Sequence, residues 1–187
     1  MNIKESFRSL TKFEWCLWLS SVAVIIVSSL VVPKPDILSM IASFIGVTAL
    51  IFVAKGYVLG QILCIIFAVF YGIVSFSARY YGEMITYLGM SAPAALVATI
   101  SWLRNPYKKS AEVKVARLTK GKTVLLFLAT GLVTWVFYYI LGALDTANLL
   151  VSTFSVTTSF LASMLLIFRS PMYALAYALN DIVLVTL

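Results

Sequence analysis

Charge is placed along this chain so as to leave seven long tracts without any: residues 15–33, 37–54, 56–78, 84–103, 123–144, 146–168 and 170–187, the last broken only by Asp181. Each is 18 to 23 residues long. A helix rising 1.5 Å per residue needs roughly 20 residues to cross about 30 Å of hydrocarbon. The tracts therefore predict about seven transmembrane helices and an all-α polytopic membrane protein. Strands are no substitute, because unbroken apolar runs lack the two-residue alternation of a membrane barrel. With 62% hydrophobic and 11% charged residues, the chain also lies outside the composition of water-soluble domains. The first tract follows Lys4, Arg8 and Lys12, as a secretory signal would. It is longer than a signal core of roughly 7–15 residues, and Val31, Val32 and Pro33 offer no small-x-small cleavage site before Lys34. It reads as a membrane helix.

The net charge of +7 raises the question of a nucleic-acid partner. If the N-terminus is cytoplasmic and the helices alternate, Lys4, Arg8, Lys12, Lys55, Arg104, Lys108, Lys109, Lys114, Arg117, Lys120, Lys122 and Arg169 fall inside. Only Lys34 and Arg79 fall outside. Such an asymmetry is the positive-inside pattern, so the basic excess reports topology, and no nucleic-acid partner is expected. The basic loop at 104–121 is expected on the cytoplasmic side, against anionic lipid headgroups.

The helical segments are predicted at 14–32, 36–54, 57–78, 81–103, 122–143, 145–168 and from 171 onward, with the basic loop dividing them into two groups. "FVAKGYVLGQILCIIFAV" and "LLIFRSPMYALAYALNDIVL" carry a weak echo: an apolar helix, one base at a tight turn, then a helix opened by Tyr57 or Tyr173. The predicted orientations make the two groups parallel repeats joined by one helix. Parallel halves with a binding site between them near the midplane are a known transporter plan.

Few residues in such a chain can carry chemistry. There is no histidine, no GxxxxGK[ST], GxSxG or GxGxxG, and no pair of acids at i, i+4, so neither catalysis nor a cofactor is expected. Cys16 and Cys64 lie on different predicted helices without metal-ligand spacing, and no metal site is expected. What remains is polar side chains inside the membrane. Tyr173, Tyr177, Asn180 and Asp181 occupy i, i+4, i+7 and i+8, one face about 100° wide. Asn180 and Asp181 stand roughly 15 Å into the bilayer by helical rise. A carboxylate there costs at least about 2.5–3.5 kcal/mol against lipid and must face a bundle interior, a partner or a wet cavity. An interhelical hydrogen-bond clamp and a ligand site both satisfy that requirement.

A second stripe, Glu83, Tyr87 and Ser91, precedes Pro93, which predicts a kink near Gly89. Glu83 reads as an entrance charge near the outer boundary. Gln61, in segment 57–78, suits either glue between helices or a ligand. Trp15, Trp18, Tyr57, Tyr80, Tyr81, Trp102 and Tyr107 fall at predicted helix ends, where an interfacial aromatic belt is expected. Trp135, Tyr138 and Tyr139 are deeper and are expected to pack.

"YYGEMITYLGMSAPAALVATISWLRNP", "YALAYALNDIVLV" and the opening "SFRSLTKFEW" resemble the PnuC-type vitamin transporters, the family that carries nicotinamide riboside across bacterial inner membranes. The resemblance covers nearly the whole chain. It implies a single transmembrane domain on a three-plus-one-plus-three plan similar to a full-length SWEET: an N-terminal segment with an added helix (1–35), a first three-helix bundle (36–103), the basic loop (104–121), a linker helix (122–144) and the first two helices of a second bundle (145–187). The family's core ends with one more helix, so the chain is expected to be C-terminally incomplete. Also implied are a homotrimer surrounded by membrane lipid, an inner-membrane location, and facilitated diffusion by rocking of the bundles, with the product trapped for NAD biosynthesis. By position in the matching motifs, Tyr87, Tyr173, Tyr177 and Asn180 are implied ligands. Gln61 and Trp102 are weaker candidates, and Asp181 supports Asn180. Thiamine, riboflavin or a nucleoside on the same scaffold is the nearest alternative substrate. A non-transporting assembly protein, whose polar face joins subunits, is the alternative of another class.

Overall fold

The computed structural model describes residues 3–31, 36–79, 81–108, 112–146 and 148–185. The expectations for Lys34, Tyr80 and Lys109, and for the side chains of Lys4, Tyr81 and Glu83, lie outside the described residues. The named elements are all helical: α1 (Ile3–Arg8), α2 (Lys12–Val31), α3 (Ile37–Ala54), α4 (Val58–Ser77), α5 (Tyr81–Thr86), a π-turn (Tyr87–Ser91), α6 (Ala92–Leu103), α7 (Lys120–Ala143), α8 (Leu149–Ile167) and α9 (Tyr173–Val185). Six stretches among the described residues are long and apolar enough to span a membrane: α2, α3, α4, the run Met84–Leu103, α7 and α8. The described part of α9 is 13 residues long. Helices follow the predicted segments closely except at 145–168, where α8 begins only at Leu149. Asp145 and Asn148 have φ of 52° and 51°, a left-handed turn of the kind that Asp and Asn tolerate best.

The chain divides into two compact units, Met1–Lys114 and Val115–Leu187. In the first, α3 and α4 form an antiparallel hairpin, α4 packs on α6, and α2 leans on α3. No residue of α2 is buried, so its apolar surface suits lipid. Asp36 caps α3, accepting from the Leu38 N–H at 3.0 Å and from the Ser39 hydroxyl. The Ser39 bond is the main cause holding its carboxyl below the usual range. The turn between α3 and α4 is tight because it hinges on two glycines. Gly56 takes φ +72°, and a Cβ at Gly60 would stand 2.4 Å from the Val53 backbone nitrogen.

Around this turn the aromatic residues depart from the expected belt. Tyr57 is only 7% exposed; its hydroxyl bonds Ser9 at 2.9 Å and its ring stacks on Phe52. Trp18 donates from its indole to Thr48 at 3.1 Å, and Trp102 is 1% exposed. Tyr107, at 44% exposure, matches the belt reading better. A buried Tyr or Trp is stable where its polar atom reaches a partner, and for Tyr57 and Trp18 sequence position alone could not show that Ser9 and Thr48 supply one. The Lys55 ammonium bonds the Glu14 carboxylate at 2.9 Å, tying α2 to the same turn. The first part of the basic loop is fixed there too: the Val113 N–H donates to the Gly56 carbonyl at 2.8 Å.

The expected kink at Pro93 takes a specific form. Over Tyr87–Ser91 the helix widens into a π-turn, and the Ala92 N–H donates to the Tyr87 carbonyl five residues back. This places Pro93 in the opening turn of α6, where its missing N–H costs least. Leu88 of the π-turn fits over Gly72 of α4, where a Cβ would stand 2.7 Å from its side chain.

In the second unit, α8 packs against both α7 and α9. The buried face of α8 runs Ser155, Thr158, Ala162, Leu165 and Leu166, a helical period with hydroxyls at one end and hydrocarbon at the other. Leu126, Ala162, Leu165 and Ala176 form the apolar part of this core.

Gly60→Ala tests the hairpin. Overpacking of this kind costs about 1–3 kcal/mol, so the purified variant is expected to melt several degrees lower. Gly121→Ala, at a glycine with nothing within 4 Å, is expected to melt at or slightly above the parent temperature. Equal melting of the two variants would contradict this packing.

Candidate functional site

Polar side chains inside spanning helices are the candidate functional residues, and each unit holds a separate group of them. In the second unit, α9 presents Tyr173, Tyr177 and Asn180 toward α8. Asn180 is 6% exposed, and its Oδ1 accepts from the Thr158 hydroxyl at 2.7 Å and the Ser155 hydroxyl at 3.3 Å. One turn back, the Tyr177 and Ser163 hydroxyls pair at 3.2 Å. Tyr173 meets Tyr177 edge to face with centroids 6.5 Å apart. The stripe read from 100° spacing is thus a continuous face of α9, seated on hydroxyls of α8.

Asp181 departs from this group. It is exposed, and Asn180 takes its support from Ser155 and Thr158 with no bond to Asp181. The implied role of Asp181 as a brace for Asn180 is therefore corrected. The step of 100° between neighbours carries Asp181 off the α8-facing side.

In the first unit, Tyr87 opens the π-turn, with its ring 4.4 Å from Tyr71 and 5.8 Å, edge-on, from Phe67 of α4. Trp102 is buried. Gln61 is wholly buried at 0% exposure, yet neither its Oε1 nor its Nε2 has a hydrogen-bond partner among the described residues. Glue between helices is therefore not what this amide does here. Leaving a buried primary amide unbonded costs about 1–3 kcal/mol, and no described residue relieves that cost.

Sequence reasoning missed the hydroxyls of α8 and the aromatic partners of Tyr87. The stretch "VSTFSVTTSFLAS" was the available signal for the hydroxyls. It is weak because a hydroxyl in a helix usually satisfies itself on the carbonyl four residues back, as Thr153 does on Leu149 and Thr123 on Thr119. Phe67 and Tyr71 stand at i, i+4 on α4, a spacing that by itself reads as packing. The deep aromatics of segment 122–143 also differ from expectation. Trp135 is 61% exposed and, with Tyr138 and Tyr139, lines an open groove of about 620 Å³ between α7 and α8. None of the expected ligand residues lines that groove.

Comparison with known proteins gives these groups a context. The family model described as nicotinamide mononucleotide transporter matches residues 36–187, beginning at the α3 cap and running through every candidate residue. The chain belongs to this family. With six span-length helices among the described residues, it is an integral membrane protein. The nicotinamide riboside transporter PnuC of Neisseria mucosa is 27% identical over 173 residues, covering 89% of this chain and 64% of that protein. The chain thus spans a little under two thirds of this curated relative's length. A crystal structure of the vitamin B3 transporter PnuC superposes with a TM-score of 0.78 at 25% identity, covering 95% of this chain and 77% of that one. The all-helical PnuC fold expected from the motifs is therefore present. The family match leaves α1 and α2 outside.

Gln61→Leu separates a ligand group from a structural one. Replacing an unbonded buried amide with an apolar side chain of similar size is expected to leave the melting temperature unchanged or raise it, by up to about 1 kcal/mol of stability. The same change is expected to abolish ligand binding. A marked loss of stability would show that the amide is bonded after all.

Proposed function

We propose that the chain carries nicotinamide riboside across the bacterial inner membrane by facilitated diffusion. The observation that carries this reading is the family match over 36–187, which includes the buried Gln61 and Asn180 and the half-buried Tyr87 and Tyr177. The chemistry of the substrate suits them. Nicotinamide riboside has a cationic pyridinium ring, an amide and a hydroxylated ribose. Tyr87, Tyr173 and Tyr177 offer faces for the ring, and Trp102 is a further aromatic candidate. Gln61 and Asn180 offer hydrogen bonds to the amide or the sugar, and Asp181 is an exposed carboxylate that offsets the positive charge.

The candidate set also favours the riboside over the mononucleotide named in the family's description. Gln61, Tyr87, Trp102, Tyr173, Tyr177, Asn180 and Asp181 include one acid and no base, so nothing among them would pair with a phosphate. The finer architecture belongs to the same proposal: about seven spanning helices, with an added first helix, a three-helix bundle and the first two helices of a parallel second bundle joined by the helix α7, a homotrimer in lipid, and a cytoplasmic N-terminus and 104–121 loop. The twelve-to-two distribution of bases supports that orientation.

Uptake into liposomes tests the function. Protein reconstituted alone is expected to equilibrate labelled nicotinamide riboside without an ion gradient, with nicotinamide mononucleotide, thiamine and riboflavin at least about tenfold slower. Asn180→Ala is expected to raise the half-saturation concentration about tenfold or more, as loss of a buried hydrogen-bonding ligand does. Preferential uptake of thiamine or riboflavin would move the assignment to a sibling substrate. Absence of uptake, with loss of oligomer in Asn180→Ala, would favour the assembly protein.

A further inference from the structure

We infer that Thr158, with Ser155, is a positioning residue that turns the Asn180 amide so that its NH2 group faces the ligand and its carbonyl does not. This rests on Asn180 being a ligand, as proposed above, and adds what kind of group it meets: a hydrogen-bond acceptor on the substrate. Asn180 contributes one acceptor oxygen and one donor nitrogen, and which of them reaches the ligand depends on the amide's orientation. Two hydroxyls of α8, three residues apart on one face, converge on Oδ1. Nδ2 has no hydrogen-bond partner among the described residues.

The distances decide the orientation. Thr158 has a single hydroxyl proton and three acceptors in reach: the Phe154 carbonyl at 3.1 Å, the Ser155 carbonyl at 3.0 Å and Asn180 Oδ1 at 2.7 Å. The shortest is at the preferred separation for O–H···O, about 2.7–2.8 Å, and is shorter than the 2.9–3.0 Å usual for N–H···O. The Thr158 proton therefore goes to Asn180 rather than to its own helix. Thr123 and Thr153 of the same unit instead spend theirs on the carbonyl four residues back. With its acceptor filled, Asn180 has two N–H donors to offer. A substrate presenting a carbonyl, ether or hydroxyl oxygen is matched; one presenting an N–H at that point meets two donors and is rejected.

The test uses purified full-length protein, nicotinamide riboside as ligand, and Thr158→Val, which keeps the shape and removes the hydroxyl. Thr158→Val is expected to weaken binding about tenfold, Ser155→Ala about threefold, and Thr158→Ser to restore the parent affinity within about twofold. In an Asn180→Ala background, Thr158→Val is expected to have no further effect, because its action passes through the amide. A second reading needs no ligand: in protein carrying 13C,15N-asparagine, the Asn180 side-chain carbonyl resonance is expected to move upfield in Thr158→Val and to return in Thr158→Ser.

Parent-like binding by Thr158→Val, with Asn180→Ala severely impaired, would overturn the positioning role while leaving the proposed function standing. Additive losses in the double variant would overturn it as well. If the parent protein binds no nicotinamide riboside, the functional proposal falls. The orientation is then judged by the resonance alone: an unmoved Asn180 carbonyl overturns it, and a moved one upholds it. Should Thr158→Val fail to fold, Ser155→Ala and Thr158→Ser carry the same comparison.

Discussion

Hydrocarbon offers no hydrogen bonds, so a polar side chain placed deep in a spanning helix must find its partner in the protein or in what the protein carries. Both amides singled out from the sequence face this constraint, and they meet it differently. Asn180 is held by Thr158 and Ser155, which fill its acceptor and leave its donor. Gln61 is wholly buried and has neither end filled. An amide that is half bonded and one that is unbonded are costly features in a fold this apolar. They are consistent with a chain that encloses a small polar molecule on its way across a membrane.

The surrounding structure keeps those groups in place by economical means. Gly60 lets α4 approach α3 to within a distance that no side chain would allow, immediately before Gln61. The π-turn absorbs Pro93 and delivers Tyr87 onto Tyr71 and Phe67. On α8, hydroxyls occupy the part of the buried face that meets Asn180 and Tyr177, and Leu165 and Leu166 occupy the rest. Each device is local, and each serves a polar or aromatic side chain inside a spanning helix.

Much of the fold could be read from the spacing of charges, because the cost of placing an ion in hydrocarbon marks each helix end more sharply than propensity does. The long loop and the helix positions follow from that cost, as does the site face of α9 from its period. The motif resemblance reached the family that the comparison over residues 36–187 shows. Partnership was harder to read. Tyr57 and Trp102, at helix ends, looked interfacial and are buried; Trp135, in mid-helix, looked packed and is exposed. Position along one helix fixes depth but not which neighbour covers the face. The hydroxyls of α8 were invisible for a related reason: a threonine bonded to its own helix and one bonded across to Asn180 look the same in sequence.

We propose that the buried Gln61 amide, without a partner among the described residues, bonds the substrate. Gln61 is the single glutamine of the chain, so protein carrying 15N-glutamine shows one side-chain NH2 pair. Titration with nicotinamide riboside is expected to shift that pair saturably, with the same midpoint as binding, and with a midpoint about tenfold or more higher in Asn180→Ala. Saturated binding with the Gln61 resonances unchanged would contradict the account.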